Sequence, residues 1–108
     1  MEEIENRILI RGGTLVTPDG CFPGDVAIEG ESILAVGGGL RMTEPFSVLD
    51  ERGCIVLPGL IDCHTHIALD TGLYQTADDW EIGTRTAACG GITTLVDYAT
   101  QFPGQTLK

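Results

Sequence analysis

Basic residues are scarce in this chain of 108: Lys and Arg number 6 against 16 Asp and Glu, for a formal net charge of −10. That balance excludes a nucleic-acid partner or an anionic membrane surface, because binding phosphate requires a basic face that replaces the counterions. Long hydrophobic runs are also missing. The longest, from Cys54 to Ile61, is broken by Pro58 and Gly59, far short of the ~20 residues that span a bilayer. The acidic start Met1-Glu2-Glu3-Ile4-Glu5 lacks the basic and apolar regions of a secretory signal, which predicts a cytoplasmic protein. Four cysteines, Cys21, Cys54, Cys63 and Cys89, show no Cys-x-x-Cys spacing, so reduced thiols serving as packing residues are expected rather than a disulfide framework. The chain is still 43% hydrophobic, and at this length at most one small domain closes on itself.

From Arg7 to about Asp50 the residues fall into short β-type runs separated by glycine turns. Ile8-Leu9-Ile10 and Thr14-Leu15-Val16 are divided by Gly12-Gly13. Pro18-Asp19-Gly20 ends the second run, and Gly30-Glu31 separates Val26-Ala27-Ile28 from Ile33-Leu34-Ala35-Val36. The pattern predicts a meander of small strands. Gly37-Gly38-Gly39 is read as the turn that follows, because neither a Gly-Lys-Ser/Thr nor a Gly-x-Gly-x-x-Gly spacing accompanies it. Cys54-Ile55-Val56-Leu57 is continuously apolar, the pattern of a strand buried on both faces. Thr76 is expected as a helix N-cap with Asp79 in the capping position, and Gly90-Gly91 as the stop. Gly83 falls inside this helix at a cost of ~1 kcal/mol against Ala. Ile92–Ala99, rich in β-branched residues, is expected as a second strand, completing a right-handed βαβ unit with parallel strands.

Both histidines of the chain lie in one segment, Leu57-Pro58-Gly59-Leu60-Ile61-Asp62-Cys63-His64-Thr65-His66. In an extended backbone the period of two puts Asp62, His64 and His66 on one face and Cys63 on the other. The C-terminal end of a parallel strand is where α/β folds place their chemistry. Two imidazoles at i and i+2 can grip one cation such as zinc. A catalytic zinc takes about three protein ligands plus water, so this pair is incomplete. Asp62 has three readings: a ligand, a partner that orients a histidine without touching the ion, or an ordinary polar residue. The second is favoured.

The segment Leu57–His66 resembles the first-strand signature of the amidohydrolase superfamily of metal-dependent hydrolases. Asp78–Thr84, Ala87–Thr94 and Asp97 are similar to its dihydropyrimidinase and hydantoinase branch, the cyclic amidases. Ile8–Val16 and Asp25–Val36 resemble the N-terminal strands of the small β-sandwich that this family builds from both ends of its chain. The resemblance implies an α/β architecture: residues 1–53 as the N-terminal part of a β-sandwich, and residues 54–108 as the start of a (β/α)8 TIM-like barrel. It also implies a binuclear zinc site with His64 and His66 on the more buried ion, and a homotetramer acting on a small cyclic diamide. The family's bridging carboxylated lysine, two further histidines and late general-base aspartate have no counterpart here. His64 and His66 are the only histidines, and Lys108 is the only lysine.

A TIM barrel needs ~250 residues and eight strands, so the sequence is expected to be an N-terminal piece of a larger enzyme, inactive alone. Its isolated strands should expose apolar faces and unpaired edges. For the complete enzyme, the resemblance implies hydrolysis of a hydantoin or dihydropyrimidine ring to an N-carbamoyl amino acid. The stretch Ile67–Tyr74 departs from the commonest dihydropyrimidinase pattern and favours a hydantoinase-like substrate, with Leu69, Leu73 and Tyr74 as candidate pocket residues. The rival reading is a non-catalytic relative that acts through assembly. A small independent zinc domain would require Asp62, Asp70 or Asp97 to join the histidines.

Overall fold

The computed structural model describes residues 6–106; the acidic start and Lys108 lie outside them. The chain divides into two compact units, Met1–Pro58 and Gly59–Lys108.

The first unit is a single sheet. Strands β1 (Arg7–Thr17), β2 (Gly20–Glu29) and β3 (Ser32–Gly37) form the expected antiparallel meander. Two short segments, β4 (Ser47–Asp50) and β5 (Ile55–Val56), lie parallel to β1 end to end: Ile8–Arg11 pairs with β4, and Thr14 and Leu15 pair with β5. The sheet order is therefore β3-β2-β1-β4, with β5 beside the second half of β1. Ser47–Asp50 was not among the expected strands; four residues after a proline-containing loop carry too little pattern to be recognised alone.

Two further expectations are corrected. Ile8–Ile10 and Thr14–Val16 are one continuous strand, and Gly12-Gly13 is a bulge within it, where the register against β2 shifts. Gly12 takes a φ of +76°, a conformation glycine adopts without strain, and a bulge uses it as readily as a turn does. Cys54–Leu57 is not a doubly buried strand. Only Ile55 and Val56 pair, and Ile55 and Leu57 are 68% and 58% exposed. The strand buried through consecutive residues is β2, at Gly24–Ala27, because it lies between β1 and β3.

The core of the first unit is small: Leu9, Leu15, Val26 and Ala27 are buried. Asp25 is buried with them, and each of its carboxylate oxygens has a backbone donor. Oδ1 accepts from Gly12 N–H (2.8 Å) and Oδ2 from Leu40 N–H (2.9 Å). It thus fixes the bulge and the loop after Gly39 at once. All four cysteines are free and exposed rather than packed. Each unit has one sheet, so few positions outside β1 and β2 have anything to pack against.

The second unit contains β6 (Leu60–Thr65), α1 (Trp80–Cys89) and β7 (Ile92–Asp97), with β6 and β7 parallel. The strand-helix-strand order and parallel pairing are as expected, but the first strand is Leu60–Thr65 and not Cys54–Leu57, whose Ile55 and Val56 pair with β1; no helix among the described residues is long and apolar enough to cross a membrane. The N-cap of α1 is Asp79, not Thr76: Asp79 Oδ1 accepts from Ile82 N–H at 2.8 Å. Thr76 is engaged elsewhere, since its N–H donates to Leu69 O and its Oγ1 accepts from Leu69 N–H. Gly90 and Gly91 stop the helix as expected, their N–H groups donating back to Thr86, Ala87 and Ala88 carbonyls. Gly83 has a reason to be in the helix: a Cβ there would come within 3.1 Å of the Ile67 side chain, so the small residue lets the helix approach the segment that follows β6.

Replacing Asp25 by Ala leaves two backbone N–H groups without their acceptor. The expected loss is about 2–3 kcal/mol from the first unit, with Asp25→Asn losing less because one acceptor oxygen remains. Urea unfolding followed by far-UV circular dichroism checks both variants.

Candidate metal-binding site

Parallel pairing of Leu60 with Ile92 and of Thr65 with Asp97 sets the second unit's two strands side by side. Gly59 fixes how they start. A Cβ on Gly59 would lie 2.0 Å from Thr93 Oγ1 and 2.6 Å from Thr93 Cβ, so only a glycine lets the chain enter β6 beside β7. Leu60 N–H then donates to Gly91 O at 2.9 Å, joining the strand start to the helix stop.

His64 and His66 emerge on the same side, as the period of two requires. Their ring centroids are 5.3 Å apart, with planes at 73°. A tetrahedral ion held by two imidazoles through metal–nitrogen bonds of about 2.1 Å separates the ring centroids by about 5 Å. The observed separation of 5.3 Å is close to that value. Among the described residues, no group of three or more His, Cys, Asp or Glu converges on one point; Asp70 and Asp97 do not complete a ligand set. Cys63 is exposed in the middle of β6.

Asp62 acts on the backbone. The ladder with β7 is irregular between Asp62 and Thr65, and there Asp62 Oδ1 accepts from His64 N–H at 3.1 Å. Its carboxylate bonds the main chain of the first histidine. Asp97 similarly takes a backbone donor: Oδ2 accepts from Ile67 N–H at 2.9 Å.

The segment between β6 and α1 is tied by its own polar groups. Ala68 N–H donates to Asp78 O, and Asp70 pairs with Gln75 in an isolated antiparallel bridge. Thr71 Oγ1 accepts from Leu73 and Tyr74 N–H groups. Ala68 has a φ of +52°, unusual for a residue with a Cβ, and it marks the sharp change of direction two residues beyond His66. Leu73 and Tyr74 stand at the tip, 86% and 79% exposed. A cleft of about 400 Å³ opens at the strand ends, lined by Ile67, Leu69, Trp80, Asp97, Tyr98 and Thr100 among others.

One residue of the cluster escaped the sequence reading. The Tyr98 ring lies 4.6 Å from the His64 centroid and 5.1 Å from that of His66, nearly stacked on the latter at 29°. Its signal was available: it directly follows Asp97, at the end of the strand expected to pair with the histidine strand. The shifted ionisations belong to the first unit. Hydrogen bonds from Arg52 hold the Asp50 carboxyl below its ordinary range, and a hydrogen bond to Glu51 raises the Cys54 thiol.

A glycine-led strand, a βαβ unit and two imidazoles at the strand's C-terminal end together define an α/β unit with its polar cluster at the ends of two parallel strands. Residues 55–104 match the model of the amidohydrolase family. Over 92 residues the chain is 41% identical to a D-phenylhydantoinase of Escherichia coli O17:K52:H18, covering 85% of this chain and 20% of that protein. The crystal structure of dihydropyrimidinase from Brevibacillus agri NCHU1002 superposes with a TM-score of 0.84 at 40% identity, over 94% of this chain and 22% of that one. A D-hydantoinase from Bacillus sp. AR9 gives a TM-score of 0.82 at 44% identity, over 93% and 22%. Residues 55–104 are thus similar to the amidohydrolase family, and the chain spans about a fifth of the length of these relatives.

Gly59→Ala forces Thr93 and the β7 backbone away from β6 and is expected to cost about 1–3 kcal/mol, the range for overfilling a packed contact. Trp80 is the only tryptophan, so its fluorescence during urea unfolding reports this loss from the second unit directly.

Proposed function

We propose that this sequence is the metal-anchoring N-terminal part of a cyclic amidohydrolase that opens the ring amide of a hydantoin or dihydropyrimidine to an N-carbamoyl amino acid. The observation that carries the reading is the His64/His66 pair, aimed together from the end of a parallel strand with the ring separation a shared ion requires. Its match to the amidohydrolase family model and its likeness to proteins named hydantoinase and dihydropyrimidinase support the substrate class. Zinc is the proposed ion, cytoplasm the proposed location and a homotetramer the proposed assembly. In domain terms, residues 1–53 are proposed to belong to a β-sandwich and the barrel to begin beyond them.

In this reading His64 and His66 bind as neutral imidazoles, so proton competition in acid removes the metal. A bound divalent ion supplies hydroxide at neutral pH by lowering the pKa of water, and polarises the carbonyl under attack. Asp62 holds the His64 main chain, and Asp97 holds the main chain just beyond His66. Both keep the strand end rigid where the imidazoles leave it. The Ile67–Tyr74 stretch borders the strand ends, and its apolar side chains Leu69, Leu73 and Tyr74 are proposed to meet the ring substituent of the substrate. Two imidazoles are fewer than the ligands a catalytic zinc uses, so the 108 residues alone are proposed to be inactive. The assembly-protein alternative finds no specific support, because the histidine pair is intact.

The test uses the natural gene product, purified from its source and loaded with Zn2+. It is expected to convert 5-phenylhydantoin or dihydrouracil to the carbamoyl acid. His64→Ala and His66→Ala are each expected to lower the rate by more than the ~10–100-fold that follows loss of a residue merely supporting a ligand. Ring opening undiminished in both variants would overturn the proposal.

A further inference from the structure

We infer that Tyr98 is a positioning residue for the histidine pair, its ring acting as a plate against which both imidazoles are set before a metal arrives. This rests on the reading of His64 and His66 as ligands and adds a residue to it.

The argument begins with the backbone. Thr65 and Ile67 flank His66, and each is tied to the end of β7. Tyr98 N–H donates to Thr65 O at 3.2 Å, and Asp97 Oδ2 accepts from Ile67 N–H at 2.9 Å. Thr65 Oγ1 adds a contact to Val96 O at 3.3 Å. Asp97 and Tyr98 therefore hold the main chain on both sides of one candidate ligand, and Val96 holds the Thr65 side chain beside it. The Tyr98 side chain then has little choice of place, and its ring lies within 4.6 and 5.1 Å of the two imidazole centroids.

Both histidines and Tyr98 are exposed, the tyrosine to 54%. Exposed imidazoles ordinarily sample several rotamers, and only the combination in which both rings face one point binds an ion bidentately. Packing both rings on one aromatic surface narrows that set, so less freedom is lost on binding. The contribution belongs to the ring and not to the phenol oxygen. No hydrogen bond from that oxygen is needed for the contact.

The experiment titrates Zn2+ into the metal-depleted natural gene product, following affinity by calorimetry and fold by circular dichroism. Tyr98→Phe is expected to bind within about twofold of the parent. Tyr98→Ala and Tyr98→Leu are expected to bind about tenfold more weakly, in the range that loss of a ligand-orienting residue produces, with an unchanged circular dichroism spectrum. The leucine variant keeps apolar bulk at the strand end should the alanine variant fold poorly. Parent-like affinity in Tyr98→Leu overturns the inference while leaving the histidine pair as ligands. Equal weakening in Tyr98→Phe also overturns it, because the phenol would then be the operative group. Zn2+ binding that survives His64→Ala and His66→Ala unchanged, or no binding by the parent up to millimolar Zn2+, overturns the underlying ligand reading instead.

Discussion

Parallel pairing of β6 with β7 joins segments 30 positions apart in the chain, as in the bond between Ile67 and Asp97. His64, His66, Asp97 and Tyr98 form one neighbourhood only because of it. A parallel pair cannot be made by a tight turn; it needs a crossover, which α1 supplies. The helix in turn approaches the segment after β6 because Gly83 offers no side chain against Ile67. Two glycines, Gly59 at the strand entry and Gly83 in the helix, thus permit the contacts on which the site depends. At Gly59 a Cβ would collide with Thr93, and at Gly83 it would crowd Ile67.

The first unit reaches its order by a different route. Its buried side chains are few, and much of its apolar surface is exposed, including Ile33, Leu34, Val36, Val48 and Leu49. One sheet layer has no second layer to bury against, and its ladders carry much of the organisation. Asp25 is the exception that links ladder to loop, a buried carboxylate held by one backbone donor on each oxygen rather than by a cation. Exposed apolar rows of this kind mark surfaces suited to a partner layer, and β6 and β7 carry similar ones at Ile61 and Val96.

Much of this was legible in the residues, for reasons that differ by element. The facing of His64 and His66 followed from the two-residue period, a covalent property of extended chain that tertiary contacts do not change. The helix stop at Gly91 and the meander turns at Gly20 and Gly30 were readable because the positive φ there favours glycine. What failed were decisions between two states that the same residues serve equally well. Gly12-Gly13 suits a turn or a bulge, and the choice was made by Asp25, thirteen positions away in the chain. Thr76 and Asp79 both cap helices; Leu69 claimed the threonine. The run Cys54–Leu57 had the composition of an interior strand but pairs along only two residues. Tyr98 was missed because its role is a contact across the sheet, readable only from its place at the end of the strand paired with the histidine strand and from no local pattern.

The central claim is that two imidazoles from one strand take hold of one ion, and the chain's two histidines make it directly measurable. The decisive measurement is a ¹⁵N-edited imidazole spectrum of the protein during Zn2+ addition, in which both ring systems are resolved without assignment ambiguity from other histidines. The account predicts that His64 and His66 shift together along a single binding curve, each with one ring nitrogen changing to a metal-bound position. Movement of only one imidazole, or of neither while Zn2+ binds elsewhere, would contradict it.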